Sequence, residues 1–149
     1  MEFFGHFIGG EEVPSIDGEE MLDIDPYSRE PWARVALGSS ADAERAVAAA
    51  REAFDSGVWS RLPVHERARI LNRFGDLLER DMDKLYRLET VNNGRPITET
   101  KAQITRLPEW YRYNAALLLA SRDAVVPMSG QYHSYTSRFP IGVVATLSS

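Results

Sequence analysis

The sequence predicts an α/β fold in which short strands come first, helices fill the middle and strands return at the end. Three observations carry this reading. The first third alternates apolar and polar residues in brief runs cut by Gly and Pro. From Ser39 the apolar period lengthens to that of a helix. Ile141 to Leu147 is then a largely apolar, β-branched run after Pro140, the pattern of a strand buried on both faces. A strand of that kind opens a parallel sheet and needs a crossover before its neighbour, so the sheet it implies is expected to be truncated.

Phe7-Ile8 and Glu11 to Val13 flank Gly9-Gly10, which accepts the positive φ of a two-residue hairpin turn. Met21 to Asp25 and Trp32 to Leu37 are two further half-buried strands, joined by the turn-forming "PYSREP". Ser39 caps a helix with Asp42 in its first turn, and Ala43, Val47, Ala50 and Phe54 share one face up to Ser56-Gly57. A second helix starts after Pro63, with Ile70, Leu71, Phe74, Leu77 and Leu78 as its buried stripe. It continues or restarts through Met82, Leu85 and Leu88 until Asn93-Gly94 stops it. A third helical region runs from about Ile97 toward Arg122, and Pro108 either kinks it or divides it in two. "QYHSYTSRF" (Gln131 to Phe139) and "IGVVATL" (Ile141 to Leu147) read as closing strands.

The 149 residues, 44% hydrophobic and 26% charged, fit one soluble domain. A net charge of −5 with Lys and Arg scattered among acids argues against a nucleic-acid partner. The absence of cysteine excludes a disulfide framework, a Cys-based zinc site and a thiol nucleophile within this stretch. "MEFFGHFIGG" lacks a basic signal-peptide start, and no apolar run approaches the ~20 residues of a membrane span. An unprocessed cytoplasmic chain with no membrane partner is expected.

His6, His65 and His133 have no metal-ligand spacing around them and read as ordinary exposed or hydrogen-bonded histidines. "EWYRYNAALLL" reads as core packing rather than a stacking surface for bases. There is no G-x-S-x-G, G-x-G-x-x-G or phosphate-loop pattern, so motifs alone give no catalytic centre.

Several segments, taken in order, resemble the start of an aldehyde dehydrogenase. They are "FIGG" (Phe7 to Gly10), "IDPYSREPWARV" (Ile24 to Val35), "AVAAAREAF" (Ala46 to Phe54), "WSRLPVHERARIL" (Trp59 to Leu71), "ETVNNGRP" (Glu89 to Pro96), "RYNAA" (Arg112 to Ala116) and "RFPIGVV" (Arg138 to Val144). Together they cover nearly the whole chain. Gly9, Asp25, Asn92 and Phe139 depart from the family's usual Asn, Asn, Asp and Glu, which bears on subfamily and substrate.

The resemblance implies an aldehyde dehydrogenase-like N-terminal portion, residues 1–149 belonging to the NAD(P)-binding domain. It includes an oligomerisation-type strand at about 130–139 and the first Rossmann-like strand at 141–147. The resemblance also implies that the nucleophilic Cys, the general-base Glu and the cofactor helix lie outside these residues, so no catalytic residue is assigned here. Leu147, Ser148 and Ser149 match the edge of the dinucleotide site. Arg106 and Trp110 match the helix lining the aldehyde's entrance tunnel, with plain helix packing as the rival role. Ile24 and Asn92 match positions that hold a structural monovalent metal ion in some members.

Two functions follow as expectations. One is the inactive N-terminal piece of an NAD- or NADP-dependent enzyme that oxidises a small aldehyde and forms a homo-oligomer. The other is a non-catalytic assembly or binding module, or half of a split enzyme. The apolar helix stripes are expected to need partner surfaces or to stand exposed.

Overall fold

A computed structural model describes residues 1–147. The N-terminal part builds two small sheets. Strands β1 (Glu2–Phe4), β4 (Glu20–Ile24) and β5 (Pro31–Ala36) form one, in the order β1-β5-β4. β5 runs parallel to β1 and antiparallel to β4. Strands β2 (His6–Ile8) and β3 (Glu11–Val13) form the expected hairpin, Ile8 facing Glu11 across the positive-φ glycines Gly9 and Gly10.

Between β4 and β5 the chain turns tightly. The Asp25 carboxylate accepts from the Tyr27 N–H and the Ser28 hydroxyl at 2.9 Å each, which places Arg29 at φ 61°. The hydrogen bond from Tyr27, then that from Ser28, hold the Asp25 carboxyl below its ordinary pKa. β5 is the central strand, with Ala33 and Ala36 buried. β4, an edge strand, departs from the half-buried pattern: Met21, Leu22 and Ile24 are exposed.

Helix α1 (Ser40–Ser56) starts at the expected cap. The Asp42 N–H donates to the Ser39 hydroxyl, and the Asp42 carboxylate accepts from the Ser39 N–H at 3.0 Å, closing a capping box. The same carboxylate accepts from the Ser15 hydroxyl at 2.8 Å and the Ile16 N–H at 3.0 Å. One buried acid thereby ties the β3–β4 connection to the start of α1. The Ser39 backbone bond, then those from Ile16 and Ser15, keep its pKa far below the ordinary carboxylate range against the opposing cost of burial. The predicted stripe of α1 does not find a core: Val47 is 55% exposed, and Ala43 and Ala50 are exposed as well.

Helix α2 (Val64–Asn93) is continuous for 30 residues, about 45 Å. It ends in Gly94 at φ 74°, whose N–H donates to the Thr90 carbonyl at 2.9 Å. The third helical region is two helices, α3 (Ile97–Ile104) and α4 (Leu107–Ala120), with Pro108 in the first turn of α4.

α2 and α4 meet through small residues spaced seven apart on each. Ala68 and Gly75 are buried on one helix, Pro108 and Ala115 on the other. A Cβ on Gly75 would come within 3.1 Å of the Pro108 carbonyl oxygen. Phe74 and Tyr111 pack with ring centroids 4.5 Å apart, while Arg112 reaches Asp76 at 2.9 Å and Glu79 at 2.6 Å. The Phe74 and Ile70 positions of the predicted stripe are nevertheless 44% and 45% exposed; the seam is carried by Ala68 and Gly75 beside them. α3 is fixed to α2 by the Thr90 and Thr100 hydroxyls, 2.8 Å apart, with Thr100 fully buried.

The closing strands differ from expectation. Gln131 to Phe139 supplies only β7 (Ser134–Tyr135), paired antiparallel with β6 (Val125–Val126). Ile141 to Leu147 has no strand pairing, and Ile141 and Leu147 are each 95% exposed. A strand is stabilised by its neighbours on both sides, and the described chain provides none for this run. The α/β class and its sequence of elements hold; the Rossmann-like strand does not form within these residues.

Candidate functional site

The residues marked for a functional role fall in three places. The first is the junction of the three-stranded sheet with the C-terminal end of α2. Because α2 is unbroken, Asn92 is carried to the sheet, where its Nδ2 donates to the Asp23 carboxylate at 2.6 Å, next to Ile24 on β4. Pro26 sits against Gly94, so that a Cβ there would be 2.9 Å from the Pro26 Cβ. A cleft of about 310 Å³ lies beside this contact, bordered by Asp23, Asn92, Trp32 and Leu88. The structure thus brings Asn92 next to the strand of Ile24. Asp23, the residue that joins them, was not singled out from sequence; its one signal is a carboxylate between the apolar residues Leu22 and Ile24 of a strand.

The second place is the start of α4. Arg106 is its N-cap and Trp110 follows one turn later, the Trp110 N–H donating to the Arg106 carbonyl at 3.3 Å. Both side chains are exposed, Trp110 to 61%. Tyr113 and Leu117 continue the exposed stripe at 64% and 47%, while Tyr111 and Ala115 face α2. The packing read into "EWYRYNAALLL" therefore holds for one face of α4 and not for that of Trp110.

The third is the run ending at Leu147, which is exposed; Ser148 and Ser149 lie outside the described residues. The first two places share the rigid frame of α2, whereas the third has no element beneath it.

The histidines are dispersed. His6 Nε2 is 3.9 Å from the Asp42 carboxylate, His65 lies beside Glu66 at 3.7 Å, and His133 packs near Tyr135. Among the described residues no group of three or more His, Cys, Asp or Glu is placed to hold a metal ion. No described helix is long and apolar enough to cross a membrane.

This order of hairpin, sheet, capped helix, long helix and divided helix is that of the opening portion of a much larger oxidoreductase fold. Residues 13–149 match the model of the aldehyde dehydrogenase family, and the chain belongs to that family. It is 41% identical over 145 residues to aldehyde dehydrogenase 1 of Tanacetum cinerariifolium, covering 97% of this chain and 29% of that protein. It is 36% identical to the mitochondrial benzaldehyde dehydrogenase of Antirrhinum majus, covering 94% of this chain and 26% of that one. Among solved structures, the NAD+ complex of an aldehyde dehydrogenase from Bacillus cereus superposes with a TM-score of 0.82 at 32% identity, over 89% of this chain and 27% of that chain. An apo indole-3-acetaldehyde dehydrogenase gives 0.77 at 35% identity, over 81% and 28%. The chain spans less than a third of the length of these relatives.

Proposed function

We propose that residues 1–149 form the N-terminal part of the coenzyme-binding domain of an NAD- or NADP-dependent aldehyde dehydrogenase, and that they are inactive alone. The observation that carries this reading is the superposition, over nearly nine-tenths of the described fold, on an enzyme solved with NAD+. The whole protein would oxidise a small aldehyde to its carboxylic acid through a cysteine thioester. That cysteine has to come from elsewhere, since these 149 residues hold none.

The cofactor supplies the hydride acceptor. Leu147, Ser148 and Ser149 are the residues proposed to border it. Leu147 is 95% exposed, and no tight dinucleotide binding is expected of these residues alone. This chain's own contribution is positional. α4 presents Arg106 and Trp110 one turn apart as candidates for the wall of the substrate entrance, where an indole favours apolar or aromatic aldehydes. The α2 terminus brings Asn92 to the strand of Ile24 as the candidate place for a monovalent metal ion, held through a backbone carbonyl and a side-chain oxygen. In the structure Asn92 turns its amide nitrogen toward Asp23, a donor that repels a cation. Holding an ion there requires the amide to rotate. Homo-oligomer formation through the strand at about 130–139, and a cytoplasmic location, belong to the same reading.

The test is intact mass followed by an NAD-dependent aldehyde oxidation assay. A mass matching the 16.8 kDa sequence with no turnover supports the reading. Turnover at that mass overturns it.

A second reading, an assembly module, is favoured by the two-stranded β6–β7 ladder, whose outer edges are unpaired among the described residues, and by the exposed Tyr132, Tyr135 and Phe139 in and around it. Size-exclusion chromatography separates the two: a compact monomer at all concentrations counts against assembly through this segment.

A further inference from the structure

We propose that Asn93 is a deamidation site whose rate is set by opening of the last turn of α2. In an Asn-Gly pair the backbone nitrogen of the glycine, losing its proton, attacks the asparagine Cγ. The Cγ–Nδ2 bond breaks and ammonia leaves, carrying that proton. Water then opens the five-membered imide at either carbonyl, giving aspartate or its β-linked isomer. One water is consumed, one ammonia is released, and no electrons are transferred. Glycine permits the attack because no Cβ blocks the approach. Asn93-Gly94 is such a pair, whereas Asn72, Asn92 and Asn114 precede Arg73, Asn93 and Ala115, which all carry one.

The fold holds both reacting groups. The attacking nitrogen, that of Gly94, donates its proton to the Thr90 carbonyl at 2.9 Å. The leaving nitrogen, Nδ2 of Asn93, donates to Glu89 at 2.7 Å, and Asn93 Oδ1 accepts from the Arg95 N–H at 2.9 Å. Asn93 has helical backbone, and Gly94 is walled by Pro26, so closing the ring requires the turn to come apart. Asn93 is exposed, so water reaches it once the turn opens. Helix ends open locally well below the cost of global unfolding. The Asn92–Asp23 hydrogen bond at 2.6 Å is what ties this end to β4.

The product loosens what had protected it. A carboxylate at position 93 lies one turn from Glu89 at a helix C-terminus, where negative charge is unfavourable, and it no longer donates to Glu89. The β-linked isomer also lengthens the backbone where Gly94 meets Pro26.

The experiment is site-resolved peptide mapping by mass spectrometry of the full chain incubated at mildly alkaline pH, in native buffer, in urea, and as Asp23→Ala. In urea, conversion at Asn93 is expected to outrun that at Asn72, Asn92 and Asn114. In native buffer it is expected to fall by on the order of tenfold or more. Asp23→Ala should raise the native rate and leave the urea rate unchanged. Equal rates in native buffer and urea, or no excess at Asn93 in urea, overturn the proposal. As a check that needs no variant, amide hydrogen exchange at Gly94 in the unaltered chain should be slowed by a similar factor. An unprotected Gly94 amide overturns the gating.

Discussion

Strand β5 and the run Ile141 to Leu147 make an instructive pair. β5 contains Pro31, Arg34, Trp32 and three small or modest apolar residues, and it sits between two partners and buries Ala33 completely. The later run is more apolar and richer in β-branched residues, yet it pairs with nothing and leaves both its ends exposed. Composition favours the second as a strand; surroundings favour the first. Strand propensity describes a fit to neighbours rather than a property of the segment. The contrast extends to residues 1–120 as a body, against 121–147 with its single two-residue ladder.

Limited trypsin digestion gives the widest separation. Cleavage after Arg122 and Arg138 should precede cleavage inside α2 by on the order of 100-fold in rate. Comparable early cutting at Arg80 or Lys84 would place the two regions on one footing. Next in size is the acid that joins the body's segments. Asp42→Ala should lower Tm by on the order of 10 °C, while Ile141→Ser in the tail should move it by less than about 2 °C. Thermal melts followed by circular dichroism measure both, and similar shifts would erase the contrast.

The Asp42 carboxyl also makes the body sensitive to acid. Its folded pKa lies below the unfolded value, so its contribution is fully present above the ordinary carboxylate pKa of ~3.9 and is lost as pH falls from there through the lower folded value. A stability profile in acid should therefore be flatter for Asp42→Asn than for the unaltered chain; parallel profiles would remove Asp42 as the cause. Smallest is the helix seam. Gly75→Leu should cost about 2 kcal/mol in urea denaturation, because Pro108 leaves no room for the side chain. An unchanged midpoint would mean that α4 can move away freely.

What the sequence made legible was local. Gly9-Gly10, Ser39 with Asp42, Pro63, Asn93-Gly94 and Pro108 each dictate a turn, cap or break through their own backbone chemistry, and each element boundary fell where they put it. What stayed hidden depends on partners distant in sequence. β1 pairs in parallel with β5, Ser15 bonds to Asp42, and Asp23 bonds to Asn92, none of which any periodicity announces. For the candidate site, Arg106 with Trp110 and Ile24 with Asn92 were all named only through family resemblance; it is the fold that sets the first two one turn apart on α4 and brings Asn92 to the strand of Ile24. The stripes of α1 and β4 were legible as apolar and misread as buried, because a pattern records which face is apolar but not what covers it.

The unbroken course of α2 has a consequence for how such a chain can change. Gly75, at the crossing with α4, and Asn92, at the sheet, are fixed to one helical screw with no loop between them to absorb an error. Inserting or deleting a single residue between them turns one docked face by about 100° relative to the other. Either the sheet or α4 must then let go. Length variation in this portion of the molecule is therefore confined to places such as the stretch beyond Ala120, where no such phase has to be kept.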